Sequence, residues 1–177
     1  VVPFAMLLNL ASVSSAETKD AMWGFINKYA PDASATTNPV MDDAAGFAVR
    51  YYHDFVKPAK VFRAANDQER GALEDLRAGL ADVEIAKAMI DKKNADMGKE
   101  PADLLNYQLT NGDDLQALVF AVGKNHGFDN LREWFQAIYD ILLGASQGPR
   151  FGGFVALYGV EETIALINSG LSGDLLS

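Results

Sequence analysis

The stretch DQERGALEDLRAGLADVEIAKAMIDKKNADM (67–97) decides the fold class. Leu73, Leu76, Leu80, Val83, Ile85, Met89 and Ile90 recur at steps that gather side chains on one face of an α-helix, and the other face is charged. Asn66 or Asp67 is expected to cap the start, and Gly98 is the expected stop. This is the longest pattern in the chain. Working outward from it, the same period recurs on both sides.

Downstream, Pro101 occupies the kind of first-turn position that tolerates proline, ahead of Leu104, Leu105, Tyr107 and Leu109. Asn111-Gly112 marks a turn or break, and Asp113 is the expected cap of a helix through Val122. Asn125-His126-Gly127 ends that helix, and Asp129 opens another carrying Leu131, Trp134, Phe135, Ile138 and Leu142. A glycine-rich turn spans 144–153, followed by a short helix over 154–158 and another from Val160 to about Asn168. The tail 170–177 is expected to fray.

Upstream, the aromatic and apolar positions from Val40 to Phe55 read as a helix that Pro58 interrupts, and 33–39 reads as a loop. Ser15 is the expected cap of a helix carrying Met22, Trp23, Phe25, Ile26 and Tyr29. The opening VVPFAMLLNLASVSSAE (1–17) imitates the apolar part of a secretory signal with a small-residue site at Ala16. It lacks a basic lead and an initiating Met, and it is shorter than the roughly 18–20 residues of a membrane span. It reads as a buried helix cut from a longer chain. No alternating strand pattern is sustained and no repeat is visible, so the class is all-α: a bundle of about eight or nine helices. A subdomain boundary is expected near 98–114.

The 177 residues are 49% hydrophobic with a net charge of −9, ordinary for a folded chain and unfavourable for indiscriminate nucleic-acid or anionic-membrane binding. Without cysteine there is no disulfide, thiolate metal site or cysteine nucleophile, which is compatible with a reducing, cytoplasmic setting. No P-loop, HExxH or G-x-S-x-G occurs, and His53 and His126 have no neighbouring histidine, so no metal and no catalytic residue is assigned. The pairs Asp42-Asp43, Asp113-Asp114 and Glu161-Glu162 sit near expected helix starts, where they offset the helix dipole.

Two segments stand out. In RYYHDFVKPAKVFR (50–63), Arg50, Lys57, Lys60 and Arg63 face a single acid, Asp54, with Tyr51, Tyr52, Phe55 and Phe62 interleaved. Cations neutralise phosphates and aromatic faces stack on unpaired bases, although the same residues also make a solvated face over core aromatics. In QGPRFGGFVALYG (147–159), glycines and a proline place Arg150 and Phe151 at the tip of a turn before a helix. Such a helix start can receive a phosphate. The glycines equally suit a close helix–helix connector.

The run LREWFQAIYDILLGASQGPRFGGFVALYGVEETIALI (131–167) resembles the C-terminal end of bacterial-type class I lysyl-tRNA synthetases. VPFAMLLNLASV (2–13) and AVRYYHDFVKPAKVFRA (48–64) are similar to other parts of that family's post-catalytic region. The ATP-binding HIGH-type and KMSKS-type sequences of class I synthetases are absent. The resemblance implies an all-helical anticodon-binding domain, an α-helix cage, over 1–177, with the catalytic Rossmann domain outside this chain. It implies tRNA as partner, ATP as a substrate of the full-length ligase only, and no catalysis by this part alone. Residue type and local charge then point to Gln147, Arg150 and Phe151 near the anticodon bases. Gly148 and Pro149 would shape the turn, and Lys57, Lys60 and Arg63 would lie toward phosphates. Residues 64–114, with 12 acids and 6 bases, would face away from the RNA. The alternative is a helical protein-interaction module with no RNA ligand.

Overall fold

The computed structural model describes residues 2–14 and 17–176. Among these residues there are nine α-helices and no strand, in agreement with the all-α expectation. The packing divides the chain into two units, residues 1–61 and 62–177. The division falls in the cationic segment and not near 98–114. That stretch lies within the second unit as the connection between two helices packed on each other.

The first unit holds α1 (Phe4–Ser14), α2 (Lys19–Tyr29) and α3 (Pro39–Tyr51), followed by a π-helical turn (Tyr52–Val56) and a 3₁₀ turn (Lys57–Ala59). Its core gathers Leu7 and Leu10 of α1, Met22 and Ile26 of α2, and Ala45 and Ala48 of α3. Trp23 lies at the edge and donates its indole N–H to Asp42 at 2.9 Å. The apolar opening is thus a short core helix, as expected, and among the described residues no helix is long and apolar enough to cross a membrane. Thr18 caps α2 by accepting from the Ala21 amide. The expected cap Ser15, like the signal-type site at Ala16, lies outside the described residues. Pro39 takes the first turn of α3, where its missing N–H costs nothing.

The second unit holds α4 (Asp67–Ala81), α5 (Val83–Asp96), α6 (Gly112–Asn125), α7 (Leu131–Ile138), α8 (Phe151–Tyr158) and α9 (Val160–Ser172). α6 packs on α5 and α8, and α4 packs on α5, α6 and α9. Leu73, Leu76, Leu115, Leu118, Trp134, Phe151 and Phe154 are fully buried there. Trp134 satisfies its indole N–H on the Val119 carbonyl at 2.9 Å.

Several expected elements are corrected. The long pattern of 67–97 is two helices, because Asp82 adopts extended backbone and caps α5 through the Glu84 amide at 2.9 Å. The register then changes, so Ala86, Ile90 and Asn94 are buried while Ile85 is 39% exposed. No helix follows Pro101. The Asp103 carboxylate accepts from the Leu105 amide and Asp114 from the Gln108 amide, so side chains take the donors a helix would use. Asn111 rather than Asp113 caps α6, and Asn130 rather than Asp129 caps α7. α8 starts at Phe151, earlier than expected, and α9 runs to Ser172 instead of fraying from 170. Of the three acidic pairs, Asp113 and Asp114 lie in the first turn of α6, Glu161 and Glu162 in that of α9, and Asp42 but not Asp43 in that of α3.

Candidate functional site

The turn between α7 and α8 is built by three devices, two local and one reaching from α6. α7 passes into a π-helical turn (Tyr139–Leu143) that ends at Gly144, whose φ of 64° is the left-handed conformation glycine adopts without steric cost. Tyr139 then reaches forward and donates its hydroxyl to the Pro149 carbonyl at 2.7 Å. Gly148 passes so close to the Tyr139 ring that a Cβ there would lie 2.5 Å from two ring carbons. Finally, the Gly152 amide, at the start of α8, donates to the Gln116 side chain of α6 at 2.7 Å.

These contacts sort the expected residues. Gln147, Gly148 and Arg150 are exposed. Pro149 is buried, with its carbonyl held by Tyr139. Phe151 is a correction: it is fully buried, 5.9 Å from the Phe154 ring between centroids, and offers no face to a base. The helix start is not an open phosphate cradle either, since Gln116 already takes one of its first amides. Arg150 remains the exposed charge at the tip. Its guanidinium lies 2.6 Å from Asp113, with both side chains solvated at 56% and 82% exposure. Such an exposed pair is worth at most about 1 kcal/mol, so Arg150 is readily given up to a competing anion.

The cationic segment is split between the two units. Lys57 is exposed and, among the described residues, pairs with no acid. Lys60 is not presented to solvent as expected. Its ammonium donates to the Ser12 carbonyl at 3.0 Å and lies 5.2 Å from the Tyr52 ring centroid. Burial, helped by the charge of Lys57, pushes its pKa down to about 8. Arg63, in the second unit, forks onto both carboxylate oxygens of buried Glu69 at 2.8 Å and reaches Asp140 at 3.2 Å. That bidentate geometry holds its pKa above the usual range and commits the guanidinium to structure.

Sequence reading missed Asp113, Gln116 and Tyr139 as partners of this turn. Asp113 and Gln116 lie 37 and 36 residues from Arg150 and Gly152, beyond any local signal. The Tyr139 phenol carries a raised pKa through burial, so it stays a hydroxyl donor at neutral pH. His126 bonds to Asp75 at 2.6 Å, and among the described residues no group of three His, Asp or Glu side chains is placed to hold a metal ion.

Known proteins match this chain along its full length. A lysine–tRNA ligase of Roseobacter denitrificans is 56% identical over 177 residues, which is 100% of this chain and 29% of that ligase. The chain is similar throughout to one part of lysine–tRNA ligases. Those of Rickettsia conorii and Rickettsia felis are 36% and 35% identical over 170 residues, 96% of this chain and 28% of each ligase. The chain therefore spans less than a third of the lysine–tRNA ligases it matches. No protein-family profile and no solved structure matches it.

Proposed function

We propose that this chain is the anticodon-binding part of a class I lysine–tRNA ligase, an enzyme that attaches lysine to its tRNA using ATP. The observation that carries the reading is the full-length similarity to lysine–tRNA ligases, 56% identity in one case, in an all-helical chain without ATP-binding sequences. On this reading the chain does no chemistry itself. Adenylation belongs to a catalytic domain of the same ligase, and the protein works in the cytoplasm with tRNA as its partner.

Anticodon bases are splayed out and read along their edges. Uracil, frequent in lysine anticodons, offers two carbonyl acceptors and one N–H donor. Arg150 supplies donors only, while the Gln147 amide supplies a donor and an acceptor, so the two together match that edge. The backbone between them is fixed by Tyr139, and the chain just after Arg150 by the Gln116–Gly152 bond, which limits the ordering cost on binding.

The test is binding of a lysine-tRNA anticodon hairpin across a salt series, beside a hairpin whose central anticodon uridine is replaced. Binding that weakens with salt and prefers the cognate hairpin is expected, because phosphate contacts release counterions. Binding without preference, or with no salt dependence, overturns the reading. Absence of binding by this chain and by the full-length ligase would overturn it as well. Arg150→Ala should lower cognate affinity by about tenfold. Asp113→Asn should raise it severalfold by freeing Arg150 and removing a negative charge. Unchanged affinity in both variants removes Arg150 from the site.

A further inference from the structure

Every strongly exposed aromatic among the described residues lies in the first unit: Phe4 at 40%, Tyr29 at 53%, Phe47 at 52%, Tyr51 at 38% and Phe55 at 64%. Four of these form one row. Phe47, Tyr51 and Phe55 follow at four-residue steps along α3 and its π-helical turn, with ring centroids 6.1 and 5.0 Å apart, and Phe4 of α1 adds a ring 5.6 Å from Phe47. Large solvated rings in a contiguous row are uncommon on a surface with no partner.

A cleft of about 490 Å³ opens at the Phe4–Phe47 end of the row, within the size range of small-ligand sites. Lys19, Asp43, Arg50 and Gly46 line it, and a Cβ on Gly46 would lie 2.9 Å from the Lys19 chain and 3.5 Å from the Arg50 guanidinium. Lys19 is paired with Asp42 at 2.8 Å. Arg50 makes no ion pair among the described residues, and Lys57 lies beyond the Phe55 end of the row. Asp43 and Asp54 stand among these cations, so the row is not strongly basic. It is nevertheless the less acidic part of the molecule: the first unit holds 6 acids and 5 bases, the second 18 acids and 10 bases.

We infer that the Phe4–Phe47–Tyr51–Phe55 row is a stacking platform for unpaired RNA nucleotides, with Arg50 and Lys57 placed for their phosphates. Aromatic rings bind bases of any sequence through their faces, and interleaved cations follow the backbone. The ring spacing of 5.0 to 6.1 Å exceeds the roughly 3.4 Å rise of stacked bases in a duplex strand. The row therefore suits a splayed strand over a helix. The inference shares with the anticodon reading only that the ligand is RNA, since it uses different residues.

The experiment measures anisotropy of a fluorescein-labelled 12-nucleotide single-stranded RNA, and of its duplex, against the 177-residue protein at low salt. Tight binding of the single strand over the duplex is expected. Phe47→Ala combined with Phe55→Ala should weaken single-strand binding at least about tenfold, while Phe47→Trp combined with Phe55→Trp should retain it. Arg50→Gln should flatten the salt slope by about one counterion. Both rings are exposed, and matching circular dichroism melts certify that the variants fold. Equal affinity for duplex, or alanine variants that bind like the wild type, overturns the platform. So does a row whose replacement abolishes self-association or a protein contact and leaves RNA binding intact. Hairpin preference measured on the same variants separates the two readings. Lost single-strand binding with intact preference in the alanine variants supports the platform, and a wild type that prefers neither hairpin yet still depends on the rings sinks only the anticodon reading.

Discussion

Gly152→Ala is expected to lower stability by about 3 kcal/mol, the upper end of ordinary overpacking, and the melting midpoint by roughly 10 °C. The added Cβ would be driven into the Gly112 carbonyl and would lie 2.5 Å from the Gln116 amide nitrogen and 2.8 Å from its Cα. All three are backbone atoms of α6, so no side chain can swing aside. Relief requires α8 to move off α6, which breaks the Gln116–Gly152 bond and unseats fully buried Phe151 and Phe154. Gly24 is the control. It sits in α2 with nothing within 4 Å of an added Cβ, so Gly24→Ala should be neutral or stabilising by about 0.5–1 kcal/mol through helix propensity. Urea melts of both variants decide the matter. Equal stability of Gly152→Ala and the wild type would rule out the close α6–α8 approach.

That close approach also explains how much of the turn at 147–153 was legible. Its glycines could be read as a phosphate cradle or as a helix–helix contact, and nothing local distinguishes them. The deciding partners, Gly112 and Gln116, lie on another helix. Phe151 illustrates the same gap at the scale of one residue. Adjacent to Arg150 in sequence, it reads as part of the same tip, but Arg150 precedes the helix and stays out, while Phe151 is the first helical residue and turns inward.

The helical class itself was plain, because apolar spacing of three and four recurs from end to end without alternation. What failed were the ends. The apolar stripe continues through Asp82 with no glycine or proline to interrupt it, and only the side-chain bond to the Glu84 amide shows that the helix restarts there. After Pro101 the spacing of Leu104, Leu105 and Tyr107 suggests a helix. Asp103 and Asp114 overrule it by binding backbone amides. The division at 61–62 was hidden for another reason. A single run of cations crosses it, and a charge pattern carries no information about which core each residue joins.

Glu69→Gln is the sharper test of whether that cationic run acts as a unit. Glu69 is buried, completes a capping box with Asn66 at the start of α4, and holds Arg63 through two bonds of 2.8 Å. Glutamine keeps a cap of the same shape, so the substitution removes chiefly the charge. A loss of about 2 kcal/mol at pH 7 is expected, the range of a charge-assisted hydrogen bond with one partner partly solvated. The sign with pH follows from the carboxyl. Arg63 holds its pKa below the ordinary 4.5, so the folded state releases this proton more readily than the unfolded chain. The stabilisation is therefore complete above about pH 5 and is lost as pH falls through the depressed value. Urea midpoints taken from pH 7 downward should converge for wild type and variant in acid. Parallel curves at all pH values would mean that Glu69 contributes nothing ionic. Arg63 would then be held by Asp140 and the Ala64 carbonyl, and a larger share of its charge would be open to a phosphate.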